Sequence, residues 1–516
     1  MLELVSKRTD DFIRQMPKHL RKRYGQFFTS LTTARFMASF FTLPVKRNLQ
    51  VLDAGSGSGM LSVALLERMD RELEGMGHVH LTCYETDAQI LPLLKENLND
   101  LKNELNLQFD FEIRTEDYLL SQSDAFNGSL FKGQSDAGRY DMIIGNPPYL
   151  KIPRDAPEAI AMHRVCYGAP NLYFLFASMG IFNLCDKGQM VYIMPRSWTS
   201  GAYFKRFREF LLDQVKIEHI HLFNSRNRVF DKENVLQEIM IVKFCKTKII
   251  PDKVFITTTH TDQDFEKQTH FSVSYTNLVS GKSRYVYLIT NTKEAEVVDK
   301  LNIFPYTLPN LGLRMKTGLV VDFRARNLLR DFQEKGVVPL IYSRHISGGR
   351  VQFPVRNGPE FLAMDKRAFL QKNKNYLFVK RFTSKEEHRR LQCGIYLRSD
   401  LPEYEWISTQ NKVNFIDGNH DLTDAETYGL FVLFNSRWYD LYYRVLNGST
   451  QVNATEMNQI PVPSLLDIRR MGSMLLEKDD LSEDQCDEIL KSYINEQYQE
   501  NAGFAFKDRF AERATV

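Results

Sequence analysis

Apolar runs alternate with segments of helical spacing along the first half of the chain. The run LQVLDAG ends in glycine, and MLSVALLERM follows it with the spacing of a helix. HVHLTCYE, FDFEIRTED and YDMIIG are later apolar runs, and AQILPLLKENLNDL is a second helical segment. Because strands that alternate with helices build parallel sheets, this half of the chain predicts an α/β fold.

The alternation continues through GQMVYIMP, IEHIHLF and LQEIMIVKF and ends near residue 245. We therefore expect a first domain over residues 1–250. Residues 251–300 are polar and rich in threonine, which is typical of a transition or linker region. Residues 301–465 have the mixed pattern of an α+β domain, and residues 466–516 are predicted to form a helical, acidic C-terminal segment.

The composition excludes several classes of protein. With 43% hydrophobic and 25% charged residues among 516, the chain is not mainly disordered. Neither a signal peptide nor an apolar run of about 18 residues is visible, so we expect a cytoplasmic protein without a membrane partner. The 6 cysteines are scattered without metal-ligand spacing, which argues against disulfides and against a bound metal.

The formal net charge of +3 hides an uneven distribution of charged residues. Residues 314–400 hold 19 Lys and Arg against 8 Asp and Glu, whereas residues 465–516 carry a net charge of −5. Aromatic and glycine residues are interleaved with the basic ones, a pattern found in nucleic-acid-binding faces and also in solvated surfaces. The basic segment predicts contacts with nucleic-acid phosphates, and its candidate residues are Arg344, Arg350, Lys380 and Arg381.

A glycine-rich turn follows the first predicted strand. Its residues are Asp53, Ala54, Gly55, Ser56, Gly57, Ser58 and Gly59. Glycines at a strand-to-helix turn allow the backbone to approach a ligand closely. The spacing differs from the G-x-G-x-x-G of dinucleotide sites, and the carboxylate of Asp53 disfavours a pyrophosphate and suits a cationic amino-acid ligand.

Acidic residues also stand at the ends of the second and third predicted strands. Glu85 follows Asp53 by 32 positions, where a carboxylate can accept two ribose hydroxyls. Asp117 is a candidate acceptor for an adenine amine, with Tyr118 beside the ring, and Thr86 belongs to the same predicted site. Glycines in one turn can be purely structural, but three successive strands that end in acids indicate a binding site for S-adenosylmethionine.

The fourth predicted strand runs into Asn146, Pro147, Pro148 and Tyr149. Two successive prolines cannot continue a strand ladder, so the chain leaves the sheet at the edge where α/β proteins bind ligands. An aryl or amide NH₂ is a poor nucleophile because its lone pair is delocalised. The side-chain oxygen of Asn146 and the carbonyl of Pro147 are two acceptors that can hold both N–H bonds, and Tyr149 can stack on a planar base. A proline-rich turn without chemistry is the alternative.

These motifs resemble those of the gamma-class, TaqI-type DNA adenine-N6 methyltransferases of restriction-modification systems, over roughly residues 20–245. The segment YGQFFTS is similar to the N-terminal methionine-moiety motif of that family, with Ser30 in place of its usual proline. The resemblance implies that Gln26, Phe28 and Thr29 contact the cofactor, together with Asn146. Phe230 stands where the family places a second aromatic that stacks on the target base, although a core phenylalanine fits the pattern nearly as well.

The resemblance also implies an architecture and an activity. It implies a Rossmann-like domain with a mostly parallel seven-stranded sheet, followed by an α+β target-recognition domain over residues 301–465. The expected reaction transfers a methyl group from S-adenosylmethionine to N6 of an adenine flipped out of duplex DNA. The loop after Tyr149, with Lys151 and Arg154, is expected to close on DNA. The expected protein is a nucleoid-associated bacterial or archaeal monomer, and any partner endonuclease is a separate chain, since no Glu-x-Lys nuclease motif occurs.

Three alternatives remain open at this point. The same grip on an amine serves cytosine N4, and methyltransferases of release-factor glutamine also use Asn-Pro-Pro-Tyr, although they resemble shorter chains. A non-catalytic DNA-specificity subunit is a third alternative, which the intact DAGSGSG and NPPY motifs disfavour. A cytosine-C5 enzyme is excluded because it requires a Pro-Cys nucleophile, and no cysteine follows a proline.

Overall fold

The protein is described by a computed structural model that divides into two compact units, Met1–Asn291 and Thr292–Val516. Its described residues are 1–15, 28–44, 46, 48–73, 77–128, 135–224, 238–281, 283–364, 367–383, 387–447 and 451–496. The first unit extends past the predicted boundary at residue 250. The reason is that two strands of the threonine-rich region join the main sheet instead of forming a linker.

The first unit is built on a nine-stranded sheet with the order β3-β2-β1-β4-β5-β7-β6-β8-β9. Its strands are β1 Asn48–Ala54, β2 His78–Tyr84, β3 Phe109–Arg114, β4 Tyr140–Gly145, β5 Leu184–Pro195, β6 Lys216–Phe223, β7 Ile239–Cys245, β8 Lys253–Thr259 and β9 Thr269–Ser274. Strands β1 to β5 are parallel, and β7 runs antiparallel between β5 and β6. The first seven strands confirm the predicted mostly parallel methyltransferase sheet, and β8 and β9 extend it.

Helices cover this sheet and connect its strands. They are Leu2–Gln15, Leu31–Ser39, Met60–Glu72, Leu91–Glu104, Ser123–Phe126, Pro157–Ala161, Leu172–Asn183, Lys205–Gln214 and Tyr275–Leu278. A small hairpin pairs β10 Val279–Ser280 with β11 Tyr285–Val286. Ser30, which replaces the usual family proline, caps the helix Leu31–Ser39, because its hydroxyl accepts the backbone N–H of Thr33 at 3.3 Å.

The centre of the sheet is closely packed beneath the carboxyl ends of its strands. Gly145 is the last residue of β4, and a Cβ atom there would lie 2.7 Å from the ring of Tyr192 on β5. No side chain fits this position without displacing the ring. The absence of a side chain therefore lets β5 pack directly under the point where the chain leaves the sheet.

The second unit contains two sheets. The first has the order β12-β22-β19-β20-β16-β15, and the second has the order β13-β17-β14-β21-β18. The strands are β12 Leu313–Thr317, β13 Leu329–Arg330, β14 Val337–Ile341, β15 Ile346–Ser347, β16 Arg350–Val351, β17 Phe361–Ala363, β18 Gln371–Lys372, β19 Tyr376–Lys380, β20 Cys393–Tyr396, β21 Trp406–Thr409 and β22 Val413–Gly418. A shared core joins the sheets, with Ile341 and Ile407 from one and Phe378 and Phe415 from the other.

The helices of the second unit follow or precede these sheets. They are Thr292–Leu301, Asp424–Asn435, Arg437–Leu446, Ala454–Met457, Leu465–Lys478 and a helix over residues 483–496. Helix Leu465–Lys478 packs against Asp424–Asn435, so the predicted C-terminal segment is part of the second unit in its described portion. Within residues 1–496, apart from the gaps given above, no helix is long and apolar enough to cross a membrane.

Two glycines set the distance between the helices Asp424–Asn435 and Leu465–Lys478. A Cβ atom at Gly472 would overlap the carbonyl oxygen of Ala425, and one at Gly429 would overlap the carbonyl oxygen of Ile468. Both neighbours are backbone atoms, which cannot rotate away. The helices therefore approach so closely that only glycine fits at either position.

We expect Gly472→Ala to lower the free energy of unfolding, by about 1–3 kcal/mol. Alanine favours a helix by about 1 kcal/mol over glycine, but forcing the two backbones apart costs more than that gain. Chemical denaturation monitors the change. Ser473→Ala, on the exposed face of the same helix, is the control and should stay within about 0.5 kcal/mol. A stabilised Gly472→Ala variant would contradict the close contact.

Candidate active site

A cavity of about 690 Å³ lies in the first unit at the carboxyl ends of the central strands. The edge formed by these strand ends is where open α/β sheets bind ligands. Many of the residues predicted from the sequence line this cavity. They are Phe28, Thr29, Gly55, Gly57, Glu85, Thr86, Asp117, Tyr118, Asn146 and Pro148. The structure thus brings together residues that are more than 100 positions apart in the chain.

Other predicted residues do not line the cavity. Asp53, Ala54, Gly59, Pro147 and Tyr149 are buried and stand outside its lining. Two further predicted residues, Gln26 and Phe230, lie outside the described residues. Their assigned roles stay predictions.

The glycine turn is fixed to the end of β2 by backbone hydrogen bonds. The N–H groups of Gly55 and Ser56 donate to the carbonyl of Tyr84 at 2.8 and 3.0 Å. The N–H of Gly57 donates to Glu85 Oε2 at 2.8 Å. Gly57 has a φ of +57°, a left-handed conformation that favours glycine. The turn and the Glu85 carboxylate therefore form one rigid wall of the cavity.

Glu85 is buried, and burial raises the pKa of its carboxyl group. Hydrogen bonds from the N–H groups of Asp87 and Gly57 act in the opposite direction and favour the ionised form. Both oxygens of Glu85 receive a backbone N–H, so the orientation of the carboxylate is fixed. Each oxygen keeps a further lone pair for a ligand hydroxyl.

Asp117 and Tyr118 form the part of the cavity wall that follows β3. Asp117 Oδ1 accepts the backbone N–H groups of Leu119 and Leu120 at 2.9 and 2.8 Å, which fixes the side chain. The buried Tyr118 donates its hydroxyl to Asn183 at 2.7 Å. Tyr118 lines the cavity, and this hydrogen bond fixes its hydroxyl end.

The sequence reasoning missed two residues of the helix Leu172–Asn183 that line the cavity, Leu172 and Phe176. The ring of Phe176 lies 5.3 Å from that of Tyr118, tilted by 50°. This helix is apolar on nearly all sides, so periodicity does not show which face points to the cavity. The aromatic cluster in NLYFLF was the available signal.

Asn146 is connected to the N-terminal motif. Its Nδ2 donates to Thr29 Oγ1 at 3.1 Å, although the two residues are 117 positions apart. Thr29 is 8% exposed, so this hydrogen bond is shielded from water. The contact fixes the orientation of the Asn146 amide, at the first residue of the Asn-Pro-Pro-Tyr tetrapeptide.

Tyr149 is held against β5. Its hydroxyl donates to the carbonyl of Ile193 at 3.1 Å, and its ring meets that of Tyr173 edge-on with centroids 6.4 Å apart. The Tyr173 hydroxyl in turn lies 3.0 Å from Ser197 Oγ. Tyr149 is 8% exposed, so its ring is held in place by the surrounding protein atoms.

The loop after Tyr149 is closed at its base by strand-like pairing. Lys151 and Asn171 form an isolated antiparallel bridge, and the N–H of Ile152 donates to the carbonyl of Pro170 at 2.8 Å. The side chains of Lys151 and Arg154 are exposed. The loop that is predicted to face DNA therefore begins and ends beside the Asn-Pro-Pro-Tyr motif.

The basic candidates of the second unit are largely engaged within that unit. Arg344 donates to a backbone carbonyl at 2.8 Å, Arg350 donates to the hydroxyl of Tyr428 at 2.8 Å, and Arg381 donates to a backbone carbonyl at 3.0 Å. Lys380 is partly exposed. Three of the four residues that are predicted to contact DNA phosphates therefore also form hydrogen bonds within the second unit.

Asp53 is a buried carboxyl group behind the glycine turn. Burial raises its pKa to about 7, against the hydrogen bond that Ser62 Oγ donates to Oδ2 at 2.7 Å. Its Oδ1 is buried and has no hydrogen-bond partner in the described part of the protein. The ionised form of Asp53 is therefore unfavourable unless a cation lies nearby, and without one the carboxyl group binds a proton more readily.

Asp53→Asn is expected to stabilise the protein without ligand at pH 8. Since the folded pKa of about 7 exceeds the usual value of 3.8, the folded state binds the proton more tightly. Stability from this group is lost as the pH rises between those two values, by up to about 4 kcal/mol in total. Denaturation at pH 5 and pH 8 measures the difference between variant and wild type, which should grow with pH. A constant difference would contradict the buried acid, and exposed Asp155→Asn is the control.

Comparison with known proteins identifies the family of this chain. The Eco57I restriction-modification methylase family matches residues 50–230. The chain is 32% identical over 463 residues to the Type II methyltransferase M.BsuBI of Bacillus subtilis, covering 89% of this chain and 91% of that protein. It is 30% identical over 484 residues to the Type II methyltransferase M.PstI of Providencia stuartii, covering 92% and 94%.

A solved structure shares the fold. The Type IIL restriction-modification enzyme MmeI, in complex with DNA, aligns with a TM-score of 0.50 over 90% of this chain and 72% of that chain, at 12% identity. This likeness concerns the fold alone. The two Type II relatives match almost the full length of the chain. The segment YGQFFTS precedes the glycine turn, and the second unit follows the Asn-Pro-Pro-Tyr motif, which is the order that the resemblance to the gamma class implies. The chain therefore belongs to the Type II DNA methyltransferases of restriction-modification systems, with the motif order of the gamma class.

Proposed function

We propose that the protein transfers a methyl group from S-adenosylmethionine to N6 of an adenine that is flipped out of duplex DNA. The observation that carries this proposal is the position of Asn146 and Pro148 in the wall of the cavity that also contains Glu85 and Asp117. An amine-gripping tetrapeptide thus adjoins a cavity with the polar groups that a nucleoside requires.

The lining of the cavity fits S-adenosylmethionine. Among the described lining residues there is no Lys, Arg or His, so the cavity suits a cationic ligand better than a phosphate-bearing one. We assign the ribose hydroxyls to Glu85, the adenine amine to Asp117, and one side of the adenine ring to the aromatic pair Tyr118 and Phe176. When bound, this cofactor supplies an electrophilic methyl group on a sulfonium centre.

Asn146 and Pro147 prepare the target amine. Because Thr29 takes the Nδ2 side of the Asn146 amide, we assign its Oδ1 as the acceptor for one N–H bond of the amine. The carbonyl oxygen of Pro147 is the second acceptor. Together they favour a tetrahedral nitrogen whose lone pair points at the methyl group, and oriented dipoles of this kind are worth about 10²–10³ in rate each.

Tyr149 is the proposed stacking partner of the flipped base. Its fixed hydroxyl and its edge-on contact with Tyr173 hold the ring in one orientation, so little order has to be created when a base enters. Phe230 is the proposed second aromatic. The base is thereby held in the plane in which Asn146 can reach its amine.

The second unit is proposed to recognise the DNA target. The net charge of +11 over residues 314–400 supports contacts with phosphates, which position a protein on DNA and make binding depend on salt. Lys151 and Arg154, on the loop that is closed beside the catalytic motif, are proposed to contact the DNA from the first unit. We further propose that the enzyme acts as a monomer and that a separate endonuclease cuts unmethylated sites.

Asn146→Ala is expected to lower methyl transfer at least 10²-fold, because one of the two acceptors for the amine is lost. Binding of S-adenosylmethionine, measured by calorimetry, should weaken much less than the rate of methyl transfer falls. Mass spectrometry of nucleosides from methylated DNA identifies the product as N6-methyladenine or N4-methylcytosine. Full activity of the variant would refute the proposed grip on the amine. Detection of N4-methylcytosine would show that the target base is cytosine and not adenine.

Thr29→Val removes the hydroxyl that orients the Asn146 amide while it keeps the size of the side chain. We expect kcat to fall about tenfold, the effect of losing roughly 1.4 kcal/mol of transition-state stabilisation. The affinity for S-adenosylmethionine should change less than kcat. Thr29→Ser keeps the hydroxyl and is the matched control, so equal losses in the two variants would argue against the orienting hydrogen bond.

A further inference from the structure

The loop over residues 352–360 connects β16 to β17 in the second unit. At its tip the side chains of Arg356 and Asn357 are exposed, and neither forms a hydrogen bond or an ion pair in the described protein. This distinguishes Arg356 from Arg344 and Arg350, which are engaged internally. Arg356 has a φ of +57°, a left-handed conformation that residues other than glycine rarely adopt. Such positions concentrate at functional sites.

A buried carboxylate fixes this loop. Glu360 is 1% exposed, and its oxygens accept the N–H of Val355 at 3.2 and 3.1 Å and the N–H of Arg356 at 3.1 Å. His345 contacts the same carboxylate, with Nε2 2.9 Å from Oε1. One side chain at the end of the loop therefore holds the backbone on which the exposed tip stands.

The hydrogen bonds of His345 define its protonation. Nδ1 accepts the backbone N–H of Tyr342 at 3.0 Å, so the ring proton is on Nε2 and is donated to Glu360. Burial lowers the pKa of His345, and it outweighs the opposite effect of Glu360. Burial acts to raise the pKa of Glu360, but the hydrogen bonds from His345 and the backbone lower it overall. The pair is thus a neutral imidazole with a carboxylate.

The charge of Glu360 is compensated inside the protein. The Nε of Arg344 lies 3.5 Å from Glu360 Oε1, and its guanidinium also stacks on Tyr342 with Cζ 4.0 Å from the ring centroid. Glu360 is the acidic residue of the loop over residues 352–360, and its side chain is buried. The exposed tip consequently offers one positive charge and one amide.

We propose that Arg356 and Asn357 read base edges of the DNA target. This rests on the proposed function. Arginine can bind guanine, and asparagine can bind adenine, through two hydrogen bonds each in the major groove. A phosphate contact requires only charge, whereas base reading requires donors at defined positions. Glu360 and the left-handed conformation at Arg356 fix the backbone from which the two side chains project. This fixed starting point favours readout over simple charge attraction.

The test compares the sites methylated by wild type, Arg356→Ala and Asn357→Ala. Genomic DNA from cells that express each full-length protein is sequenced with detection of modified bases. Each variant should methylate an additional set of sites that differ from the wild-type site at one base position. On a duplex with the wild-type site, the rate kcat/KM should fall about 5- to 150-fold, because each lost bidentate contact carries discrimination of that size.

The control is Lys293→Ala, which removes one exposed positive charge from a helix of the second unit outside the basic segment. Its set of methylated sites and its rate should equal those of wild type. Thermal unfolding checks that both loop variants are folded, and their Tm should match wild type since the two side chains are exposed. An equal loss on all sequences, with an unchanged set of sites, overturns the inference because it identifies a phosphate contact. Absence of methylated DNA with wild type overturns the proposed function instead.

Discussion

The site depends on the hydrogen bonds that tie the glycine turn after β1 to the end of β2. The carbonyl of Tyr84 accepts the backbone N–H groups of Gly55 and Ser56, and the carboxylate of Glu85 accepts that of Gly57. Parallel strands end at a common edge, but parallel pairing alone leaves the turns free to diverge. These bonds make the turn and the acidic strand end into one surface, and the cavity, the proposed cofactor contacts and the approach of Asn146 are all arranged around it.

The sequence predicted the parts of the site whose chemistry requires a particular residue type. Glycine at Gly57 is required by a left-handed backbone, and acids at strand ends are visible without a structure. Phe176 was not predicted, because a helix that is apolar all round gives no periodic signal for its direction. The boundary at residue 250 was displaced because β8 ends in three consecutive threonines and β9 is mostly polar. Such a segment looks like a linker until the neighbouring strands that it pairs with are known.

Charge counting showed that the second unit is basic but not which cations are available. Arg344, Arg350 and Arg381 look alike in the sequence, yet each of them supports a carbonyl or hydroxyl of its own unit. Arg356, in contrast, was not singled out, since its distinction is a backbone conformation and a buried acid four residues later. Whether an arginine is engaged or available depends on residues that are distant in the chain, and the local sequence pattern does not show those partners.

The bridge between Lys151 and Asn171 has a consequence for how related enzymes can differ. A loop whose two ends are already joined can double in length for only about 0.6 kcal/mol of additional closure entropy. The Asn-Pro-Pro-Tyr tetrapeptide before the bridge and the helix Leu172–Asn183 after it are therefore not displaced by insertions in the loop. The length of this loop, which is proposed to contact DNA, can therefore vary from one enzyme to another while the site beside it stays in place.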